Sequence, residues 1–207
     1  MKVLYNVKLA QILFKHSVNP IFNISVPEFA HYQLSRTYFI QGNLNTSLYE
    51  AQKELELYPE NKRTYYIMGL TYGYMNAETA AIKMFSKFIE FKPESWAARN
   101  DKAWLQFRIG DIDGAIETLE PIILSTKNNV WIQNTYCALM INKKEFEKAE
   151  IACKNAKDVA DVMTEASWGV AYPGNDPRIY GTGLQAMKLS IDSNLKIIST
   201  NASTDLE

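Results

Sequence analysis

The 207 residues carry 22 Lys and Arg against 23 Asp and Glu, so the formal net charge at pH 7 is −1. This balance argues against a general nucleic-acid binder, which needs a clustered excess of cations to neutralise phosphates. The composition, 47% hydrophobic and 22% charged, is that of an ordinary globular protein, and two cysteines are too few for a disulfide scaffold or a four-thiolate zinc site.

Membrane and export signals are weak along the whole sequence. No stretch reaches the ~20 apolar residues that a bilayer-spanning helix needs, so no membrane span is predicted. Asn6, Lys8 and Gln11 interrupt the apolar run that a signal peptide requires. A cytoplasmic setting is therefore expected, and a membrane anchor outside this chain is left open.

The chain begins with an amphipathic pattern over residues 1–17, where apolar residues recur every three or four positions until Asn19-Pro20. Residues 1–27 are predicted to form an N-terminal capping helix and a linker, because the ends of helical repeat arrays need covering. A helix lying on a membrane surface is the alternative, and its few lysines disfavour it.

A 34-residue pattern follows, and residues 62–95 hold its best copy. The signature positions of this copy are Tyr65, Met68, Gly69, Tyr72, Ala81, Phe85 and Pro93. Their spacing resembles that of the tetratricopeptide repeat (TPR), a helix-turn-helix unit. Steps of one repeat length in each direction place further copies at residues 28–61, 96–129 and 130–163, so four repeats are predicted.

The other copies depart from the signature in identity but keep its register. His31 fills an aromatic position and is interpreted as a packed core histidine. In the third copy Arg99 and Lys102 replace the aromatic residue and the leucine, while Ser95 and Asp111 are predicted to cap its two helices.

The two cysteines fall at related positions of the fourth copy. Cys137 occupies the small position of the first helix and Cys153 a packing position of the second. We expect them to lie close together as two buried small hydrophobes. A redox pair is the alternative, and it lacks a C-x-x-C motif and a nearby activating cation.

The period ends after residue 163. Residues 164–177, which include the run WGVAYPGND, are predicted to form a loop. Residues 178–199 are predicted to form a C-terminal capping helix that Gly181 and Gly183 weaken, and residues 200–207 a frayed tail. A glycine-rich phosphate loop is the alternative, but the preceding strand and the Lys-Ser/Thr pair are missing.

The resemblance to the TPR family implies an all-α fold, a right-handed α-solenoid whose first helices line a concave groove. It also implies a non-catalytic scaffold that binds a protein or peptide segment in this groove. Carried over by register, the candidate groove residues are Tyr32, Arg36, Phe39, Arg63, Tyr66, Leu70, Tyr74, Asn100, Trp104, Arg108, Trp131 and Asn134, with Phe29, Ala97, Phe107, Ala138 and Ile141 at further groove-facing positions.

The chemistry of this set suits peptide binding. Aromatic rings offer large contact areas, and arginines add charge and forked donors. Asn100 and Asn134 are equivalent in successive copies, and their carboxamides could pair with the backbone of an extended peptide. The alternative is that several of these side chains pack against neighbouring helices or the C-terminal helix.

One subtype of the family grips the C-terminal carboxylate of heat-shock chaperones with Lys, Asn and Arg side chains at fixed positions. The matching positions here hold Tyr32, Arg36, Ile67, Ala97 and Asp101. The clamp is absent, so a chaperone client of this kind is not expected.

Two further classes of function were weighed. A self-associating assembly module, for instance a homodimer, could use the apolar end helices and the groove. An enzyme has the least support, because there are two histidines and no metal-ligand cluster, nucleophile–base pair or nucleotide loop. No cofactor and no metal are expected, and the pairs Glu54/Glu56 and Asp111/Asp113 are interpreted as solvated faces.

Overall fold

The computed structural model describes Ile12, Lys15 and residues 26–172 and 180–204. These residues form ten α-helices and no strand, which confirms the all-α prediction. The chain divides into two compact units, Met1–Pro93 and Glu94–Glu207, called the N-terminal unit and the C-terminal unit below. The predicted capping helix within residues 1–27 lies almost wholly outside the described residues. Within the described ranges, no helix is both long and apolar enough to cross a membrane.

The N-terminal unit consists of two helix pairs. Each first helix packs on the second helix of its own pair, and α2 packs on α3. The helices are α1 (Ala30–Ile40), α2 (Leu44–Leu57), α3 (Thr64–Tyr74) and α4 (Glu78–Phe91).

The C-terminal unit adds two further pairs and two closing helices. The long last helix packs mainly on α8, with further contacts to α7 and α9. The helices are α5 (Trp96–Arg108), α6 (Ile112–Ile123), α7 (Val130–Asn142), α8 (Phe146–Val162), α9 (Glu165–Ala171) and α10 (Tyr180–Thr204).

The backbone repeats with the predicted period. The second helices of the four pairs begin at Leu44, Glu78, Ile112 and Phe146, each one 34-residue step after the last. The turn before each of them contains one residue with positive φ, at Gly42 (77°), Asn76 (56°), Gly110 (83°) and Lys144 (61°). A left-handed residue at the same place in each of these turns reverses the chain in a similar way each time.

Both helix caps predicted for the third pair are present. The Ser95 hydroxyl accepts a hydrogen bond from the Ala98 N–H at 3.4 Å. The Asp111 carboxylate accepts one from the Gly114 N–H at 3.1 Å. Each side chain satisfies a donor that the first turn of a helix cannot pair internally.

Close packing within each pair depends on a small residue in the first helix. An added Cβ at Gly69 would lie 2.7 Å from Phe85 Cε1 of the facing helix, well inside contact distance. One repeat length further, Ala103 and Leu119 are both fully buried at the equivalent positions. A small residue in α3 and α5 therefore makes room for a large one in α4 and α6.

At the same two positions of the fourth pair, Cys137 and Cys153 form a disulfide. Their Cα atoms are 5.3 Å apart, within the range that a disulfide spans, and both residues are fully buried. The predicted proximity is correct, whereas the interpretation as two unbonded hydrophobes is wrong. The facing positions of a helix pair bring the two sulfurs within bonding reach.

The C-terminal end is more helical than predicted. The expected loop over residues 164–177 is wrong for Glu165–Ala171, which form α9 behind a capping box of Thr164 and Ser167. Residues 173–179 lie outside the description. Residues 200–204 belong to α10 rather than to a frayed tail, and 205–207 are not described.

His31 is buried, as predicted for a core histidine. Its Nδ1 lies 2.6 Å from Glu50 Oε2 of α2, so the ring also links the two helices of its pair. In the third pair, Arg99 donates to the Thr118 carbonyl oxygen of α6 at 2.9 Å. Burial lowers the pKa of Arg99 and, together with the nearby Arg99 charge, that of Lys102.

Candidate functional site

In the N-terminal unit the first-helix surface is organised by a buried carboxylate. Glu54 of α2 is fully buried, and its oxygens accept from the backbone N–H of Phe29 at 2.7 Å and of Tyr32 at 3.1 Å. The Asn61 amide donates a third bond at 2.7 Å. The interpretation of Glu54 as part of a solvated face is wrong, because the carboxylate caps the start of α1 from inside the unit.

Four side chains form a continuous surface above this carboxylate, and we call them the arginine–aromatic strip. The Arg36 guanidinium lies 5.7 Å from the centre of the Tyr32 ring. The Tyr32 and Phe29 rings meet edge to face at 6.3 Å. The Arg63 guanidinium lies 6.0 Å from the Phe29 ring centre. Three of these residues are candidate groove residues, and Phe29 is one of the further groove-facing positions.

The remaining candidates of this unit divide between surface and core. Phe39 and Tyr74 pack edge to face at 5.2 Å, and Tyr74 stays 59% exposed. Leu70 packs against the core around Ile67. The candidate position Tyr66 packs its ring on Phe85 and Phe88 of α4, at 5.6 and 5.2 Å, and so contributes to the helix pair itself.

In the C-terminal unit, other side chains of the same chain cover the first-helix surface. Trp131 is buried in an aromatic cluster with Trp96 at 5.6 Å, Trp168 at 6.0 Å and Tyr172 at 5.3 Å. Trp168 comes from α9, and Tyr172 directly follows this helix. Trp168 and Tyr172 therefore cover the α5 and α7 positions that the TPR resemblance assigns to the groove.

The polar groups beneath this cluster are paired internally as well. Asn100 donates to the Tyr172 hydroxyl at 3.3 Å and accepts from Thr135 at 2.9 Å. The Tyr172 hydroxyl in turn makes a short hydrogen bond to the Asp101 carboxylate. The Asn100 carboxamide is thus committed to the fold rather than presented to a ligand.

Asn134 is engaged by the last helix. It donates to the Ser190 hydroxyl at 3.4 Å and accepts from Asn194 at 3.3 Å, both in α10. These contacts agree with the alternative weighed from sequence, in which the C-terminal helix packs against the presumed groove residues.

A cavity of about 340 Å³ remains on this side of the C-terminal unit. Its lining includes Trp104, Trp131, Asn134, Met187 and Ser190. Trp104 is 45% exposed and packs on Phe107 at 5.5 Å, so its indole has a free surface beside the cavity. Arg108, one helical turn further, is also exposed.

Two features of the site were not predicted from the sequence: the burial of Glu54, and the covering of α5 and α7 by Trp168 and Tyr172. Only the burial of Glu54 has a signal in the sequence. The 34-residue step from Glu54 leads to Phe88, Ile122 and Ala156, all buried. A charged residue in an otherwise apolar register position indicates a buried role. No comparable pattern connected Trp168 and Tyr172 with α5 and α7, because the repeat period has ended there.

The described residues contain no group of three or more His, Cys, Asp or Glu side chains placed to hold a metal ion. The candidate positions carry aromatic rings, guanidinium groups and carboxamides. Such side chains can recognise a ligand by contact area, charge and hydrogen bonds.

Comparison with solved structures bears on the fold. MamA (residues 41 to the end) from Desulfovibrio magneticus RS-1 aligns over 84% of this chain and 95% of its own, with 15% identity and a TM-score of 0.59. YrrB, described as a TPR protein with an unusual peptide-binding site, aligns over 86% and 92%, with 15% identity and a TM-score of 0.60. BtubC from P. vanneervenii covers 96% and 88%, with 14% identity and a TM-score of 0.56.

No family model and no curated protein matches the sequence. At these identities the structural likenesses establish the fold alone. Together with the repeated helix pairs, they show that the chain has an all-α solenoid fold of the TPR type.

Proposed function

We propose that the protein is a non-catalytic scaffold that binds a peptide or protein segment on the first-helix face of its N-terminal unit. The observation that carries this proposal is the arginine–aromatic strip, together with the exposed ring of Tyr74 that packs on Phe39 of the other first helix. It combines aromatic rings, two exposed guanidinium groups and a rigid backbone on one surface. Aromatic and arginine side chains supply most of the binding energy at protein interfaces.

The C-terminal unit has a narrower part in this proposal. Trp168, Tyr172 and α10 occupy most of its first-helix surface. The cavity beside Trp104, of about 340 Å³, has the size of a small-ligand pocket and can hold part of a bound segment. We assign it a secondary contact at most.

The likeness to YrrB supports the proposal at the level of the fold. That protein is described as having a peptide-binding site. Its low sequence identity to this chain transfers no ligand and no residue role, so the partner must be identified from the surface itself.

The test is a peptide selected from a random library against the whole chain, with its affinity measured by fluorescence anisotropy. Tyr74→Ala should weaken binding about tenfold, because it removes an exposed ring from the proposed face. Tyr49→Ala is the matched control, since Tyr49 is 56% exposed but belongs to the second helix α2. No selected peptide, or equal losses in both variants, would overturn the proposal.

Tyr66 is unsuitable as a probe of binding. Its ring packs on Phe85 and Phe88, so truncation would disturb the helix pair together with the surface. A loss of binding in Tyr66→Ala would not separate these two effects.

Self-association remains the second prediction for the function. It is tested by light scattering over a range of protein concentrations, where a mass that rises with concentration would support it. If the resulting interface covers Tyr74, groove binding of a separate peptide is contradicted.

For the compartment, we propose an oxidising environment in place of the expected cytoplasm. The Cys137–Cys153 disulfide supports this, because such bonds are rare in proteins of the reducing cytosol. Lysing source cells under denaturing conditions in the presence of a thiol-alkylating reagent and without reductant, followed by mass analysis, tests it. Unmodified cysteines are expected, and alkylation of both would place the protein in a reducing compartment.

A further inference from the structure

We infer that the arginine–aromatic strip recognises the side-chain carboxylates of an acidic segment in a partner protein, with an apolar residue between the acids. This inference rests on the proposed peptide-binding function and specifies its ligand. The order of groups along the strip carries it: a guanidinium, two aromatic rings and a second guanidinium.

Both guanidinium groups are placed to bind a carboxylate. Each lies within cation–π distance of an aromatic ring, and each carries five N–H donors in a fork that matches a carboxylate. One N–H group of Arg36 donates a hydrogen bond to the side-chain oxygen of Gln33, an uncharged amide, at 3.2 Å. Both arginines are exposed, and among the described residues neither forms an ion pair with a carboxylate.

Two lysines of the same unit, Lys53 and Lys62, provide a contrast. Lys53 also lies over a ring, 5.8 Å from the centre of Tyr49, but its ammonium is 2.6 Å from Glu56. Lys62 lies 3.4 Å from Glu60. These cations have an acidic partner within the chain, whereas the two arginines of the strip would find theirs in a ligand.

The rings between the arginines are held in place before a ligand binds. Phe29 has a φ of 71°, a left-handed conformation that is unfavourable for a bulky residue. The Glu54 carboxylate compensates by accepting from the Phe29 and Tyr32 N–H groups. Backbone strain of this kind is typical of functional surfaces, and a fixed surface loses little entropy on binding.

The described carboxylates next to the strip, Glu54 and Glu28, do not neutralise the two arginines. Glu54 is fully buried, and three N–H groups surround its oxygens. Glu28, next to Phe29, is exposed, and no ion pair joins it to either arginine in the part of the chain that the structure describes. The surface therefore presents two cations on either side of an apolar middle.

A nucleic acid and a free C-terminal carboxylate fit this pattern less well. Two cations and a chain charge of −1 offer too little phosphate neutralisation for nucleic-acid binding. The family's clamp for a terminal carboxylate is absent. Side-chain carboxylates flanking an apolar residue match both the charges and the rings.

The test uses two pools of fluorescein-labelled short peptides with amidated C-termini. One pool carries Asp or Glu on both sides of an apolar residue, and the other carries Asn or Gln at the same positions. We expect the wild-type protein to bind the acidic pool about tenfold more tightly, because each carboxylate gains charge-assisted hydrogen bonds. Arg36→Ala and Arg63→Ala should each remove most of this preference, and Lys53→Ala should keep it.

Four outcomes would overturn the inference. If both pools bind equally tightly and the arginine variants bind like wild type, peptide binding stands but acid recognition does not. If the acidic peptides bind only when their C-termini are left free instead of amidated, the arginines recognise the terminal carboxylate and not the side-chain carboxylates. If neither pool binds while the library-selected peptide does, the ligand chemistry is wrong, and if no peptide binds at all, the proposed function falls as well. Arg36→Gln and Arg63→Gln repeat the test if an alanine variant unfolds.

Discussion

Gly183 of α10 lies against the outer carbons of the Trp168 six-membered ring, and an added Cβ there would come within 2.6 Å of Trp168 Cζ3. The glycine looked like a weak point of the C-terminal helix when only the sequence was considered. In the structure it is the position that lets α10 approach α9, so the two closing helices of the C-terminal unit pack through this contact.

Gly183→Ala should therefore lower the free energy of unfolding by about 2 kcal/mol, because the new methyl group overpacks the contact with Trp168. If position 183 is an ordinary helix interior, the same substitution should raise the free energy of unfolding, because alanine there is about 1 kcal/mol more favourable than glycine. Chemical denaturation measures the difference. Gln185→Ala, at an exposed position of the same helix, is the control and should change stability little.

Gly69→Ala should also destabilise the protein by about 2 kcal/mol, since its Cβ would lie 2.7 Å from Phe85 Cε1. The third pair has Ala103 and Leu119 at the equivalent positions, which suggests a compensating change. Phe85→Leu alone should cost about 1 kcal/mol through lost packing. The double variant should be more stable than the sum of the two single losses predicts. Additive losses would mean that the two positions do not share one contact.

Reduction of the Cys137–Cys153 disulfide should lower stability by about 3 kcal/mol, as expected for a loop of about 15 residues. The matched variant is Cys137→Ala with Cys153→Leu, which copies the residues of the third pair. Its thermal unfolding should be insensitive to dithiothreitol, whereas wild type should shift to a lower Tm. An equal response in both proteins would contradict a structural role of the bond.

Glu54→Ala should cost about 3 kcal/mol, because the buried N–H groups of Phe29 and Tyr32 lose their charged acceptor. Glu56→Ala is the control two residues away. Glu56 is exposed and pairs with Lys53, so its removal should change the unfolding free energy by about 0.5 kcal/mol or less. Equal effects of the two variants would show that the Glu54 carboxylate does not organise α1.

The fold was predictable from sequence because the repeat signature constrains packing at fixed intervals. Gly69 and Phe85 meet across the helix pair and Ala81 is fully buried, so the spacing of these residues encodes the helix pair directly. The turns follow for the same reason, with Gly42 and Gly110 at the left-handed positions.

The candidate site was predictable only in part, because groove positions carry no such constraint. Register alone places Arg36 and Asn100 on equivalent first-helix faces. It could not reveal that Tyr172, more than seventy residues later in the chain, would bind the Asn100 amide. That contact depends on how the chain folds back after the period ends, and nonperiodic segments leave no spacing from which to infer it.

The central claim, that a peptide or protein segment binds the first-helix face of the N-terminal unit, is tested most directly by site-specific photo-crosslinking. A benzophenone amino acid replaces Tyr74 in one variant and Tyr49 in another, two exposed tyrosines on first and second helices respectively. With the library-selected peptide, crosslinking is predicted at position 74 and not at position 49. Equal crosslinking at the two positions, or crosslinking at position 49 alone, would contradict the claim.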